Sequence, residues 1–315
     1  MTIMHPQELS NPAGAIRWWV YQRERFPILA NGTLIMAFSS SAVCFSSLLS
    51  EEQGLPHWSA FAAAFITSFI FFLQLRIADE FKDSEEDEKF QPYRAVPRGL
   101  VTLRELGFVF LIGAFIQLGI ALWLYPPLVG ILLIAWAYLG LMSREFFVRE
   151  WIKSRPITYL WTHMGIMPLV DLYATATEWM PRGATVPDGL IWFLVVSFFN
   201  GVVIEVGRKI RSTDEEKPGV STYTKLWGQR GAPLIWFGFL LVTAISASIA
   251  GSLIEFGLQT FIVLAILLLV ALLVVIKFSL NPSSRSAKYF ELMSGIWTLM
   301  MYLTLGLGPF LQSTL

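Results

Sequence analysis

The sequence predicts an all-α integral membrane protein with nine transmembrane helices, and three observations support this fold class. The chain of 315 residues is 55% hydrophobic and only 15% charged, which is too apolar for a soluble domain of this size. Apolar stretches of roughly 20 residues, the length that crosses a bilayer, recur along it. Charged segments separate these stretches. The nine predicted spans are Ile28–Leu49, Trp58–Ile77, Leu106–Leu124, Leu128–Met142, Thr158–Ala176, Gly189–Val206, Ala232–Gly251, Leu258–Phe278 and Phe290–Phe310.

The basic residues indicate how the chain lies in the membrane. They fill alternate loops, whereas the remaining loops contain only Arg182. Because Lys and Arg accumulate in cytoplasmic loops, we expect the N-terminus in the cytoplasm and, after an odd number of spans, the C-terminus outside. The segments assigned to the cytoplasm are Arg17 to Arg25, Lys82 to Arg104, Arg144 to Arg155, Arg208 to Arg230 and Lys277 to Lys288.

Residues 1–27 are expected to form a cytoplasmic or interfacial N-terminal arm, and residues 28–315 the membrane domain. Residues 15–26 read AIRWWVYQRERF, a basic and aromatic composition typical of helices that lie at the membrane surface. The arm carries no apolar core followed by a small-residue cleavage site, so we predict no removable signal peptide. The single cysteine, Cys44, lies in the first span and excludes an internal disulfide.

The second span leads into the most informative segment, residues 76–102, which read RIADEFKDSEEDEKFQPYRAVPRGLVT. Asp79, Asp83 and Asp87 recur every four residues, so a helix that continues through them carries all three on one face. Like charges at this spacing repel each other unless a cation lies between them. Hard oxygen ligands suit Mg²⁺, which usually takes one or two carboxylates plus substrate phosphates. The spacing and the basic, proline-containing tail favour such a site over a solvated acidic helix end.

The loop after the fourth span, residues 143–155, is basic and aromatic. Its orientation alone explains the positive charge, and contact with an anionic substrate group is the competing interpretation. In the fifth span His163 and Asp171 are ionisable groups that are costly within a membrane, but we favour neither as catalytic and expect Asp171 to pair with a polar neighbour. The basic residues of the loop are Arg144, Arg149, Lys153 and Arg155.

The sixth span ends in a second charged segment, residues 205–228, which read EVGRKIRSTDEEKPGVSTYTKLWG. As in the first segment, an apolar span runs into charged residues that are followed by proline and glycine. The order of the charges differs, because the cations come first and most of the acids later. The charged residues are Glu205, Arg208, Lys209, Arg211, Asp214, Glu215 and Glu216.

At these two segments the chain resembles the UbiA superfamily of intramembrane prenyltransferases, whose members have nine helices and two acidic motifs on cytosolic loops after helices two and six. The first family motif reads Asn-Asp-x-x-Asp-x-x-x-Asp, and residues 79–87 of this chain read DEFKDSEED. The Arg-Pro-Leu-Pro-x-Gly that often follows is present as RAVPRG at residues 94–99. The resemblance implies a nine-helix bundle of the UbiA type.

The second segment departs from the family pattern. Members usually carry Lys-Asp-x-x-Asp-x-x-x-Asp there, whereas this chain has Arg208, Lys209 and Arg211, with its acids later. The trailing Gly219, Thr222 and Gly228 fit the family's glycine and threonine positions. We therefore hypothesise that fixed cations bind the diphosphate directly, as a second metal cluster does elsewhere in the family; the alternative is that they only obey the orientation rule.

The resemblance implies a Mg²⁺-dependent enzyme that ionises a prenyl diphosphate. Neutralising the leaving diphosphate requires metal ions and basic side chains, while aromatic faces in the bundle can stabilise an allylic cation. The expected partners are a prenyl diphosphate, a lipophilic or aromatic acceptor and membrane lipid, with no nucleic acid and with the site facing the cytoplasm. The implied catalytic residues are Asp79, Asp83, Asp87, Arg94 and Lys209; the implied diphosphate ligands are Arg94, Lys153, Arg208, Lys209 and Arg211; the implied metal ligands are Asp79, Glu80, Asp83, Asp87, Asp214 and Glu215.

Two alternatives stay open at this point. A terpene cyclase of the same superfamily ionises the same substrate, but double bonds of that substrate then trap the cation. A divalent-cation transporter would also need carboxylates. Transporters place their ligands near the membrane midplane, often on broken helices, whereas the predicted carboxylates lie at helix ends, and this difference disfavours the transporter.

Overall fold

The computed structural model of the chain describes residues 14–50, 55–216 and 221–313. Within these ranges the fold is entirely helical, as predicted, and contains no strand. The predicted position Gly219 and residues 1–13 of the N-terminal arm lie outside the described residues. The helices are α1 (Ile16–Arg25), α2 (Ile28–Leu49), α3 (Trp58–Lys82), α4 (Ser84–Phe90), α5 (Leu103–Leu124), α6 (Leu128–Ser143), α7 (Arg149–Lys153), α8 (Pro156–Met164), α9 (Ile166–Trp179), α10 (Leu190–Arg208), α11 (Tyr223–Leu253), α12 (Gly257–Leu280), α13 (Ser284–Gly306) and α14 (Gly308–Ser313).

Six helices in the described part of the chain are both long enough and apolar enough to cross a membrane, namely α2, α3, α5, α10, α11 and α12. The other three predicted spans are less regular. The fourth, α6, has only 16 residues; the fifth is divided into α8 and α9 at Gly165; and the ninth, α13, carries Lys288 and Glu291 near its start. The membrane class of the prediction is thus supported, and the count of nine stays a prediction.

The helices form one bundle in which α2, α9, α10 and α13 pack against one another. α3 packs against α2, α5 and α9, and α11 packs against both α10 and α12. The largest fully buried side chains include Tyr173 of α9, Trp236 of α11, and Trp297 and Tyr302 of α13. Only 22% of the most apolar window of α5 and of α12 is buried inside the bundle, so these two helices present most of their apolar surface to lipid.

The described part of the N-terminal arm is fastened to the bundle by ion pairs. Arg17 contacts Glu105 of α5, and Glu24 accepts two hydrogen bonds from Arg98 at 2.8 and 2.9 Å. The buried side chain of Tyr21 packs in a small apolar cluster that includes Ile77. α1 therefore docks on α3 and on the tail after α4, in addition to any anchoring at lipid headgroups.

Candidate functional site

The first acidic segment forms two consecutive helices that meet at Asp83. α3 ends at Lys82, Asp83 follows with φ −97° and ψ 4°, and α4 begins at Ser84. The helical hydrogen bonds continue across this junction: the N–H of Asp83 donates to the carbonyl of Asp79 at 2.9 Å, and the N–H of Asp87 donates to the carbonyl of Asp83 at 2.8 Å. The three aspartates therefore follow one another at intervals of one turn.

Two of these aspartates already have cationic partners. Asp79 is partly exposed and lies 3.3 Å from the ammonium of Lys82 and 3.9 Å from the guanidinium of Arg76. Asp87 is buried, and the Arg94 guanidinium donates to both of its carboxylate oxygens at 2.6 Å. The structure thus brings together Asp87 and Arg94, for which the sequence implies a metal and a diphosphate role.

Of the three aspartates, Asp83 lies in the environment that most disfavours its negative charge. Burial raises the pKa of its carboxyl group, and the negative charges of Asp79, Asp87 and Glu86 raise it further, although the ammonium of Lys82 opposes them. A divalent cation would stabilise the ionised form of this crowded carboxylate. The electrostatics of Asp83 therefore suit a metal ligand.

The donor set is compatible with Mg²⁺ but not with a metal held by protein alone. Among the residues that the structure describes, no three His, Cys, Asp or Glu side chains are arranged to hold a metal ion. Mg²⁺ usually binds through one or two carboxylates and completes its shell with water and substrate phosphates. The partly exposed Asp79 and the crowded Asp83 supply such carboxylates, one turn apart.

Glu80 lies on a different face of α3. Its carboxylate is 1% exposed and contacts the guanidinium of Arg25 from α1 and that of Arg76, at 2.5 and 3.5 Å. These contacts join α1 to α3. The structure does not bring Glu80 to the other three carboxylates, and the metal role predicted for it gains no geometric support.

The second charged segment places an acid between its first two cations. The carboxylate of Glu205 accepts from Arg208 at 2.7 and 2.8 Å and from Lys209 at 2.7 Å. Glu205 itself is buried. Two cations therefore share one carboxylate, which leaves this end of α10 with a positive charge.

Three residues of the second segment, Arg211, Asp214 and Glu215, line an open cavity of about 660 Å³. The 3₁₀ turn Thr213–Glu215 forms one wall, and the start of α13 forms the other. Asp214 and Glu215 thus lie beside Lys288 and Glu291 of α13 and not beside the aspartates of the first segment. The lining residues are Arg211, Asp214, Glu215, Lys288, Glu291 and Leu292.

The two charged segments face each other across one end of the bundle, which we call the charged end. Arg208 lies within electrostatic reach of Asp79 from the first segment and of Glu291 from α13. Lys153, a predicted diphosphate ligand, contacts Glu86 of α4. Carboxylates of α3 and α4 therefore lie opposite cations from α7 and α10.

A third polar cluster adjoins the first segment and surrounds Lys82. The Lys82 ammonium donates to the Tyr159 hydroxyl at 2.7 Å and lies 3.8 Å from a carboxylate oxygen of Glu145. The other oxygen of Glu145 lies 3.3 Å from Nε2 of His163, whose ring stacks on Tyr159 with 3.8 Å between centroids. Although burial raises the pKa of Glu145, the contacts with His163 and Lys82 outweigh it and hold that pKa below its usual value.

The backbone that carries Glu145 is strained. Glu145, Phe146 and Phe147 have φ angles of 49°, 52° and 61°, the left-handed region that residues with a Cβ avoid. Each such residue costs roughly 1–2 kcal/mol. Phe146 packs edge-to-face on Tyr138 and on His163, with centroids 5.7 and 6.2 Å apart. These contacts, together with the ion pairs of Glu145, hold the turn in place.

Farther from the charged end, the bundle interior is aromatic and contains the fully buried acid Asp171. The Tyr302 ring packs edge-to-face against Phe38 and Phe193, at centroid distances of 5.2 and 5.8 Å, and Phe193 stacks on Phe45 at 4.7 Å. The Tyr302 hydroxyl donates to Asp171 at 3.1 Å, so Asp171 has the polar partner that the sequence predicts.

Sequence reasoning assigned Glu145 no role. It is one of two acids in the basic loop of residues 143–155. Its neighbours in the fold, Lys82 and His163, are distant in sequence. The sequence feature that could have identified Glu145 is an isolated acid within a basic loop. Its burial could not be anticipated, because no glycine marks the left-handed turn.

The comparisons with known proteins agree with this arrangement of helices. The model of the UbiA prenyltransferase family matches residues 40–304, which is most of the chain. The chain belongs to the UbiA prenyltransferase family. The resemblance seen in its two charged segments is therefore confirmed, and with it an integral membrane protein of the prenyl-transfer type.

Solved structures of UbiA homologues share the fold. The apo structure of a UbiA homologue from Aeropyrum pernix K1 is 14% identical, has a TM-score of 0.65, and covers 88% of this chain and 98% of its own. A digeranylgeranylglyceryl phosphate synthase structure is 15% identical, with a TM-score of 0.61 and coverages of 93% and 98%. A UbiA homologue from Archaeoglobus fulgidus is 13% identical, with a TM-score of 0.55 and coverages of 92% and 99%. At these identities the likeness concerns the fold alone, and a search of curated proteins found no match.

Proposed function

We propose that this UbiA-family chain is a Mg²⁺-dependent membrane enzyme that ionises a prenyl diphosphate and transfers the prenyl group to a lipophilic or aromatic acceptor. The observation that carries the proposal is the charged end, where the carboxylates of α3 and α4 lie opposite the cations at the end of α10. Such a pairing can hold a metal–diphosphate complex between its two sides. We further propose that this end faces the cytoplasm.

Asp79 and Asp83 are the residues that would hold Mg²⁺, and Asp87 could join them by weakening or giving up its hydrogen bonds with Arg94. When bound, Mg²⁺ would neutralise charge on the leaving diphosphate. The released Arg94 guanidinium could then donate to phosphate oxygens instead. Because hydrogen bonds between guanidinium and phosphate are charge-assisted, this exchange of partners costs little.

The cations of the opposite side are placed to bind the diphosphate oxygens. Arg208 and Lys209 share Glu205 and together retain a positive charge, while Lys153 lies at the rim of the first segment, on Glu86. Arg211 lines the adjacent cavity. Fixed cations aimed at the leaving group stabilise the charge that develops as the C–O bond breaks.

The aromatic interior supplies an environment for the prenyl chain. Rings of Phe38, Phe193 and Tyr302 lie within the bundle, and aromatic faces attract cations. Phe193 lies about 22 Å along α10 from Arg208, so these rings suit the far part of a prenyl chain and not the carbon that leaves the diphosphate. The same rings are the observation that favours the alternative, a terpene cyclase, since they could stabilise successive cations along one folded chain. The two activities differ only in the group that traps the first cation.

One experiment tests the proposal and separates the alternatives. Purified protein in lipid is incubated with prenyl diphosphates of several lengths, with and without Mg²⁺ and with and without a lipophilic phenol. We expect Mg²⁺-dependent release of diphosphate and a prenylated phenol. A cyclic hydrocarbon or alcohol formed without the phenol would identify the cyclase, and the absence of any diphosphate release would contradict both activities.

A further inference from the structure

Glu145 is a buried carboxylate to which the proposed function gives no role. Its side chain is 3% exposed, and neither of its oxygens makes a hydrogen bond within the described residues. Its nearest basic side-chain atoms are Nε2 of His163 at 3.3 Å and Nζ of Lys82 at 3.8 Å. A buried polar group without hydrogen bonds is unfavourable, so its lone pairs are available to an additional donor.

The position of Glu145 connects it to the first acidic segment. The same Lys82 ammonium that approaches Glu145 lies 3.3 Å from Asp79. One side chain therefore joins the Glu145 carboxylate to a proposed metal ligand. A substrate whose diphosphate binds at Asp79 would have its reacting carbon in the same part of the charged end.

The groups around Glu145 favour its ionised form. Although burial raises the pKa of Glu145, the contacts with His163 and Lys82 hold it below its usual value, with Lys153 farther away. Nδ1 of His163 lies 2.9 Å from the backbone carbonyl oxygen of Tyr159, which fixes the ring so that Nε2 lies 3.3 Å from Glu145. The ammonium of Lys82 is the cation beside the carboxylate, at 3.8 Å.

The backbone also indicates that this position is specified. Three consecutive residues without glycine, Glu145, Phe146 and Phe147, adopt left-handed φ angles. Strained backbone of this kind persists where the surrounding contacts impose it and is concentrated at functional sites. The turn directs Glu145 into the bundle, whereas the neighbouring acid Glu150 is exposed.

We propose that Glu145 is the base that removes the proton released when the prenyl cation is trapped, an inference that rests on the proposed function. The C–O bond of the prenyl diphosphate breaks and its electron pair leaves with the diphosphate. The nucleophile then forms a bond to the allylic carbon, giving a carbocation or oxonium ion. This ion loses a proton to a Glu145 oxygen, and the electron pair of the broken bond stays on the product.

A weakly basic carboxylate is sufficient for this step, because the trapped ion is itself a strong acid. The role does not depend on which nucleophile attacks, so it applies to a phenol, an alcohol or a double bond of the same chain. The proton subsequently returns to water at the charged end. The competing interpretation is that Glu145 only balances the charge of Lys82 and holds the ring of His163 in place.

The test separates ionisation from proton removal. Wild-type protein, Glu145→Gln and the control Glu150→Gln are given geranylgeranyl diphosphate, Mg²⁺ and para-hexylphenol in lipid nanodiscs, and released diphosphate and organic products are quantified separately. For Glu145→Gln we expect diphosphate release within about threefold of wild type, but about a hundredfold less prenylated phenol or hydrocarbon, the usual contribution of a general base. Prenyl alcohol should replace these products, because bulk water can both trap the cation and accept its proton.

Three results would overturn the proposal. An unchanged product distribution in Glu145→Gln would show that this carboxylate is not the base. A proportional fall in diphosphate release and in every product would show a structural role. A wild type that forms only prenyl alcohol would show that no protein base acts at all. A wild type that releases no diphosphate contradicts the proposed function itself, and is recognisable because it fails before any product is compared.

Discussion

Arg94 and Asp87 bind each other through one guanidinium nitrogen, which donates to both carboxylate oxygens at 2.6 Å. Asp87 is the last acid of the first segment, and Arg94 begins the basic tail that follows it. The contact folds this tail back onto α4, so that both halves of the segment face the same side. Because only one nitrogen of Arg94 is used, its other N–H groups and the remaining lone pairs of Asp87 are available to a ligand.

The change Arg94→Gln should separate the structural and binding contributions of this pair. Without the guanidinium, Asp87 becomes a buried carboxylate without its cation, and we expect a loss of about 1.5–3 kcal/mol in the free energy of unfolding. Because Mg²⁺ can replace the lost positive charge, added Mg²⁺ should restore part of that loss. Unfolding is followed by tryptophan fluorescence at several Mg²⁺ concentrations. The control Arg104→Gln removes an exposed cation of α5 and should have no such effect; identical curves for the two variants would contradict the expectation.

The change Asp83→Asn tests the proposed Mg²⁺ site at the middle one of the three aspartates. Asp83 is the carboxylate crowded by Asp79, Asp87 and Glu86, so removing its charge should relieve repulsion and leave folding intact. We expect diphosphate release to fall by about two orders of magnitude, comparable to the loss of one strong electrostatic contact in a transition state. Glu88→Gln, which changes an exposed acid of the adjoining helix α4, is the matched control. Near-normal turnover by folded Asp83→Asn would remove the metal role.

The first segment could be predicted from sequence because its signal is local. Asp79, Asp83 and Asp87 are spaced by one helical turn, and helical hydrogen bonds do connect them. The pairing of Lys209 with Glu205 could also be predicted, since residues four apart share a helix face, although the sequence analysis considered these cations only as diphosphate ligands or as orientation signals. The Glu145 cluster was not accessible, because it joins α3, α8 and a strained turn that only tertiary contacts stabilise.

Gly306→Ala should destabilise the bundle where α13 meets α2. A Cβ at this position would lie 2.3 Å from the Cα of Ser41, a backbone atom that cannot move without shifting α2. Small residues permit such close approach between membrane helices. We expect a loss of about 1–3 kcal/mol in the free energy of unfolding, as for other overpacked sites. The control Gly119→Ala, where no atom lies within 4 Å of the added methyl, should not lower the unfolding temperature; equal unfolding temperatures for the two variants would contradict the packing.

Glu216 should give the protein a pH-dependent contribution to stability. It accepts hydrogen bonds from the hydroxyls of Thr222 and Thr224, at 2.6 to 2.8 Å, just before α11. Although burial raises the pKa of Glu216, these bonds and Lys225 hold it below its usual value. A lowered pKa in the folded state means that the stabilisation is complete above the unfolded-state pKa and is lost as the pH falls through the folded-state pKa.

The change Glu216→Gln measures this contribution. At neutral pH we expect it to cost about 0.5–1 kcal/mol in the free energy of unfolding, the usual net value of such hydrogen bonds. The difference from wild type should shrink as the pH falls below the ordinary glutamate pKa. Glu150→Gln, an exposed acid in another loop, is the control and should match wild type at each pH. A difference that persists unchanged in acid would contradict the titration.

The last prediction concerns diphosphate binding by the cations of the second segment. Arg208 and Lys209 both contact the carboxylate of Glu205 at 2.7 Å. On binding a diphosphate, these cations would leave Glu205, and they would contact it again once the diphosphate is released. Their hydrogen bonds to phosphate would be charge-assisted and about twice as strong as neutral ones. If the cations only obey the orientation rule, they contact lipid phosphates and not the substrate.

Binding of inorganic pyrophosphate decides between these two explanations. Affinity is measured calorimetrically for Arg208→Gln, Lys209→Gln and Arg211→Gln at several Mg²⁺ concentrations, with the exposed Arg230→Gln of α11 as control. We expect at least one of the first three variants to bind at least about tenfold more weakly, or about 1.4 kcal/mol. Excess Mg²⁺ should not restore that affinity, because a fixed cation and not a metal ion has been removed. If all three variants bind as the wild type does, the cations of α10 serve orientation only, and the diphosphate must be held by the first segment alone.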